Sequence, residues 1–182
     1  MARLRDLEEP HLILTLDISS TNVGYALYNL DAKKLLESGV WYSKLKDYAR
    51  MLAIKDAFGE FVDFGIPGDY PECVEHRHIE VLVEQPFYIP GKSNDLPIKM
   101  MHGMLLSCMH SCSRVCRPPY SYSWNYVNVS TWRSKILKGR PKSEEAKKAV
   151  KRAMQRYWKV AVKDDNQGDA LGILYWRLKY GT

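Results

Sequence analysis

Cysteine is scarce: four residues in 182, three of them within one short segment, cannot make a disulfide scaffold. That excludes a small secreted framework and sets the expectation of a reducing, cytoplasmic location. No uninterrupted apolar run approaches the ~20 residues of a membrane helix. The N-terminal Met1-Ala-Arg-Leu-Arg-Asp-Leu-Glu-Glu-Pro10 has none of the apolar core of a secretory signal, so no membrane partner is expected. Internal repeats and low-complexity tracts are also missing. With 46% apolar and 26% charged residues, the chain reads as one folded domain over 1–182, long enough to bury a core.

Acidic charge is scarce in the second half. Residues 1–90 carry 9 Lys/Arg against 15 Asp/Glu, whereas residues 91–182 carry 18 against 6. Within 132–163 the basic residues Arg133, Lys135, Lys138, Arg140, Lys142, Lys147, Lys148, Lys151, Arg152, Arg156, Lys159 and Lys163 face only Glu144 and Glu145. Such a stretch is an electrostatic footprint for a polyanion, although a solvated helix face gives the same pattern. Trp132, Tyr157 and Trp158 bracket it, as base-stacking platforms or as anchors to a core.

Apolar periodicity sets the order of elements. His11–Ile18 and Asn22–Asn29 read as strands joined by a Ser/Thr turn, and Lys33–Tyr42 reads as a third strand closing an antiparallel meander. Lys44–Phe64 has helical spacing, 65–78 is a loop, Ile79–Glu84 a buried strand, Ile98–Val115 an apolar helix and Asn125–Val129 a fifth strand. Ser130 or Thr131 would cap a short helix, Ser143 begins another, and the last spans Asp165–Lys179. A meander followed by alternating strands and helices predicts an α/β fold: a mixed five-stranded sheet, partly antiparallel and partly parallel, with helices on both faces.

Three acids stand where acids are expensive. Asp17 lies at the end of the most apolar strand, Glu84 closes Val81-Leu-Val-Glu, and Asp169 opens the apolar Asp-Ala-Leu-Gly-Ile-Leu-Tyr-Trp helix. Singly, each has a plain reading as a turn cap, an ion-pair partner or a helix N-terminal charge. Jointly, beside a basic half, they point to one convergent site. Crowded carboxylates favour hard divalent cations, and two such ions ~4 Å apart can drive phosphodiester hydrolysis. At about 100° per helical residue, Asp165 and Asn166 share a face with Asp169 and Asp164 does not, which favours Asp165 as a fourth ligand. Asp164 or Asp165 could equally cap the helix.

Asp17-Ile-Ser-Ser-Thr-Asn-Val-Gly24-Tyr25, Glu84-Gln85-Pro86-Phe87 and Asp165-Asn-Gln-Gly-Asp169-Ala-Leu, in this order, resemble the RuvC-type Holliday junction resolvases, most of all the phage-encoded members. The resemblance implies an RNase H-like fold, a homodimer, and paired symmetric nicks in four-way or branched DNA with Mg²⁺ or Mn²⁺, two ions per site. No small-molecule cofactor is expected. Asp17, Glu84 and Asp169 match the family's metal-binding acids, and Phe87 matches an aromatic that contacts the junction. Lys147 resembles a basic residue near the scissile phosphate, which adds it to the catalytic set. The chain departs from the family where Asn166 stands three positions before the last acid, leaving Asp165 or Asn166 as the fourth ligand. Arg133, Lys138, Arg140, Lys142, Lys148, Lys151 and Arg152 are the expected DNA-backbone contacts.

The alternatives on the same fold are a nuclease for RNA–DNA hybrid and a non-catalytic DNA-binding module; a mere binder gains nothing from acids beside DNA. An actin-type ATPase would need a second phosphate loop and a Gly-rich adenosine site, which the chain lacks. Cys108, Cys112 and Cys116 are spaced as a buried helix stripe with Met101, Met104 and Leu105 rather than as metal ligands. His76 and His78 are expected at the surface, and Met100, Met101 and Met104 in the core.

Overall fold

The runs of apolar and β-branched residues become strands, and the helical spacings become helices. The computed structural model describes residues 12–64, 77–86, 96–115, 120–137, 139 and 143–181. In chain order these form β1 (Leu12–Ile18), β2 (Asn22–Asn29), β3 (Lys34–Tyr42), α1 (Asp47–Phe64), β4 (Arg77–Glu84) and α2 (Leu96–Val115). They continue with β5 (Tyr120–Val127), α3 (Val129–Ile136), α4 (Ser143–Trp158) and α5 (Asp165–Tyr180). The sheet order is β3-β2-β1-β4-β5; β1, β2 and β3 pair antiparallel, β1–β4 and β4–β5 parallel. The expected mixed sheet is the one found.

Side chains alternate across a sheet, and here the alternation builds two cores. Leu12, Leu14 and Leu16 of β1, Val23, Tyr25 and Leu27 of β2, and Ile79, Val81 and Val83 of β4 meet Ile54 and Phe58 of α1 and Met101, Leu105 and Met109 of α2. Tyr25 stacks on Trp41 at 4.1 Å between centroids, and Phe58 and Phe61 present tilted or edge-on rings to the pair. The intervening Ile13, Ala26, Tyr28 and Leu82 face the other way, onto Trp132, Val150, Met154, Leu171 and Leu174. Thus α1 and α2 cover one face, and α3, α4 and α5 the other.

Several expectations need correction. β5 begins at Tyr120, well before Asn125, and Val129 belongs to α3. As an edge strand, β5 half-buries Tyr120, Tyr122 and Trp124 and alternates them with Ser121, Ser123 and Asn125, so no apolar run marks it. The cap of α3 is Asn128, whose Oδ1 accepts from the Ser130 N–H at 2.8 Å, not Ser130 or Thr131. His78 is not at the surface: β4 begins at Arg77, two residues before the expected Ile79, and the buried ring faces the hydroxyls of Ser121 at 2.9 Å and Ser123 at 3.3 Å. Met101 is fully buried but Met100 is 41% exposed, because adjacent helical positions diverge by about 100°. Cys108 and Cys112 lie on the inner stripe of α2 as expected, while His76 and Cys116 fall outside the described residues.

Candidate active site

Two strand ends and one helix start build the site. In the parallel pair β1–β4, Leu16 stands opposite Val83, so Asp17 and Glu84 follow at neighbouring positions on the carboxyl edge. The period of two turns both toward α5. Thr15, two residues before Asp17, donates to the Ala170 carbonyl of α5 at 2.8 Å. Glu80, four before Glu84, accepts from Arg177 Nε of α5 at 3.0 Å. Asp169, in the second turn of α5, is buried at 4% exposure.

A missing side chain lets α5 come this close. Asp17 pairs across the ladder with Gly24, and a Cβ at Gly24 would stand 2.1 Å from the Asn166 carbonyl oxygen. Only glycine allows the first turn of α5 to rest on the sheet there. Gly172 does the same one level up: a Cβ would meet the Trp132 ring at 2.6 Å, so α3 can close against α5.

The electrostatics bind the three acids into one unit. Burial pushes the Asp17 carboxyl well above the ordinary range, and the charges of Glu84 and Asp169 push it further, against Arg133 and Lys147. Glu84 rises to about 7, first through burial and then through Asp169, opposed by Arg133, the Trp132 hydrogen bond and Lys147. Asp169 also rises through burial, with Arg133 and Lys147 opposing and Asp165 adding to the rise. Two donors on α3 hold the cluster: Trp132 Nε1 donates to Glu84 Oε2 at 3.1 Å, and Arg133 Nη2 donates to Asp169 Oδ2.

Among the described residues, no three acid, His or Cys side chains form a ready-made cation cage. The donor chemistry nevertheless fits a hard divalent ion: oxygen ligands only, half-buried to buried, and each disfavoured as an anion chiefly by loss of solvent. Asp165 sits at the rim, 43% exposed in its side chain, with its Oδ2 3.7 Å from Lys147 Nζ. The helix cap is Asp164, whose Oδ1 accepts from the Asn166 N–H at 2.8 Å. Asn166 contributes its backbone to the contact with Gly24.

The basic candidates among the described residues divide into three groups. Arg133 and Lys147 reach the acids; Lys148 and Arg152 are exposed along α4; Lys151 Nζ donates to the Lys163 carbonyl at 2.7 Å and ties α4 to the approach to α5. Phe87, Lys138, Arg140 and Lys142 lie outside the described residues. Sequence reading missed Trp132 as the donor to Glu84 and Arg133 as the partner of Asp169. No local signal marks contacts that span 48 and 36 residues of chain.

No family model matches the chain, and no curated protein matches its sequence. Solved structures share its fold. The Thermus thermophilus RuvC structure superposes with a TM-score of 0.62 at 16% identity, covering 94% of this chain and 97% of that one. T. thermophilus RuvC in complex with a Holliday junction substrate gives 0.61 at 13% identity, covering 93% and 96%. The yeast mitochondrial Holliday junction resolvase Ydc2 gives 0.51 at 14%, covering 97% and 84%. At these identities the likeness is one of fold, and the expectation drawn from the three acid-bearing blocks is met at that level.

Proposed function

We propose that this chain is a divalent-metal-dependent endonuclease of the RuvC type that nicks four-way or branched DNA. The observation that carries the reading is the meeting of Asp17 and Glu84, at one carboxyl edge of the sheet, with Asp169 of α5, within one another's fields. Those three carboxylates, with Asp165 at the rim, would hold Mg²⁺ or Mn²⁺. Bound ions would supply an activated water and charge stabilisation at the departing 3′ oxygen, leaving 5′-phosphate and 3′-hydroxyl ends.

The protein's own groups have separate tasks. The buried carboxylates fix the ligand geometry, and Trp132 holds Glu84 in orientation. Lys147, exposed and within the field of all three acids, is suited to a phosphate at the mouth. Lys148 and Arg152 on the same helix would neutralise the backbone, so binding should weaken steeply with salt. A homodimer is proposed with the family reading; the exposed Leu45, Tyr48, Leu96 and Met100 around α1 and α2 are apolar surface of the kind such a contact covers.

The test is incubation of the full chain with labelled four-way junction, linear duplex and RNA–DNA hybrid, with and without Mg²⁺. Symmetric, Mg²⁺-dependent nicks confined to the junction are expected. In Asp17→Asn, cleavage should fall by at least about 10³-fold while junction binding is unchanged or tighter, because a repelling charge has gone along with a ligand. Full activity in that variant overturns the reading. Cutting of the hybrid alone transfers it to a ribonuclease H, and binding without cutting to a DNA-binding module.

A further inference from the structure

α3 sends two consecutive side chains to the acids, and they are served very differently. Trp132 is fully buried, packed on Gly172, with its single N–H satisfied by Glu84. Arg133 bonds Asp169 through Nη2 while its Nε is buried without a hydrogen-bond partner, and its Cζ lies 5.0 Å from the centre of the Trp132 ring. A buried donor left without a partner is destabilising. What holds the side chain there is charge: Asp169 is buried and has Asp17 and Glu84 as neighbours, so an adjacent cation is required.

We propose that Arg133 is the resident counter-cation of the ion-free acid cluster, keeping Asp169 in place, and that a divalent ion displaces it on binding. The inference rests on the metal-dependent reading above and adds to it a positioning residue that competes with the metal. The Asp169 Oδ2 held by the guanidinium is a carboxylate oxygen that an ion among the three acids would claim. Once a divalent charge sits among three carboxylates, it repels a guanidinium within a few ångströms instead of tolerating it. Lys147 is exposed and lies 3.7 Å from Asp165 on the rim, so it can turn into solvent, whereas the half-buried Arg133 must leave the cluster. Arg133 thus preforms the site and lowers its apparent ion affinity, since the binding-competent arrangement is only part of the population.

Mn²⁺ titration calorimetry on the full chain, without DNA, tests this. Arg133→Gln should bind Mn²⁺ about tenfold tighter than the wild type and show a larger rise in Tm on ion addition, with Arg133→Lys between the two. In the wild type, the Nε–Hε NMR signal of isotope-labelled Arg133 should shift and begin rapid exchange with water as Mg²⁺ saturates the site. That measurement, with Arg133→Lys, decides the matter should the Gln variant fail to fold. Equal or weaker Mn²⁺ binding by the variants, or an unmoved Arg133 signal at saturation, overturns the exchange while leaving the metal reading intact. Absence of Mn²⁺ binding in wild type and variants alike overturns both.

Discussion

The two faces of the sheet use the same strands for opposite purposes. Toward α1 and α2, the odd and even positions that emerge are Leu, Val, Ile, Tyr and Trp, closed by Phe58 and Phe61. Toward α3, α4 and α5, the alternate positions include Thr15, Glu80 and Glu84, answered by the Ala170 carbonyl, Arg177 and Trp132, and Asp17, which lies in the field of Asp169 and its partner Arg133. One face only stabilises; the other, beside its own apolar core, spends stability on a site. Crowded carboxylates are a cost in the ion-free protein, and the two cores offset it.

Substitutions on the two faces should therefore differ in sign as well as size. The largest effect on folding is expected from Phe58→Ala, where a fully buried ring wedged against Trp41 is lost. Urea melts should show about 4 kcal/mol of destabilisation, the range for Phe removal from a packed core. Next comes His102 of α2, buried on the stabilising side with neither ring nitrogen hydrogen-bonded and its pKa pushed by burial down to about 4 from an ordinary 6.5. The unfolded chain takes up a proton that the folded one refuses, so stability falls as pH drops from 6.5 toward 4. The loss from this group is about 3 kcal/mol, and His102→Leu should remove that part of the slope in melts run across the window.

Glu84 carries the opposite sign. With its pKa raised from 4.5 to about 7 in the fold, the stability present below pH 4.5 is lost as pH climbs through 7. At pH 8 without divalent ions, Glu84→Gln should raise stability by about 2 kcal/mol while abolishing cleavage. A variant less stable than the wild type under those conditions would show that Glu84 is not under repulsion. That outcome would erase the contrast between the faces.

Much of this was legible in the residues. Asp17, Glu84 and Asp169 declared themselves because a charge inside an apolar run is a local anomaly, visible without coordinates. The meander and the parallel strand β4 are marked by apolar runs of the right length. β5 reads short in the sequence because Ser121, Ser123 and Asn125 alternate with its half-buried aromatic residues and interrupt the apolar signal. His78 was misplaced for a related reason: its partners, Ser121 and Ser123, come from the neighbouring strand. Arg133 reads in the sequence as a DNA-backbone contact because a charge run shows density and says nothing about which member turns inward.

Sequence alone determined the strand and helix order, the three acids and the basic half, since each is written in local periodicity and in charge that breaks it. Only the tertiary structure decided that Gly24 admits the first turn of α5 beside Asp17, that Trp132 and Arg133 each take one acid, and that Lys151 ties down the approach to α5. These are contacts between distant parts of the chain, set by how closely two backbones can approach, and no local pattern encodes that distance.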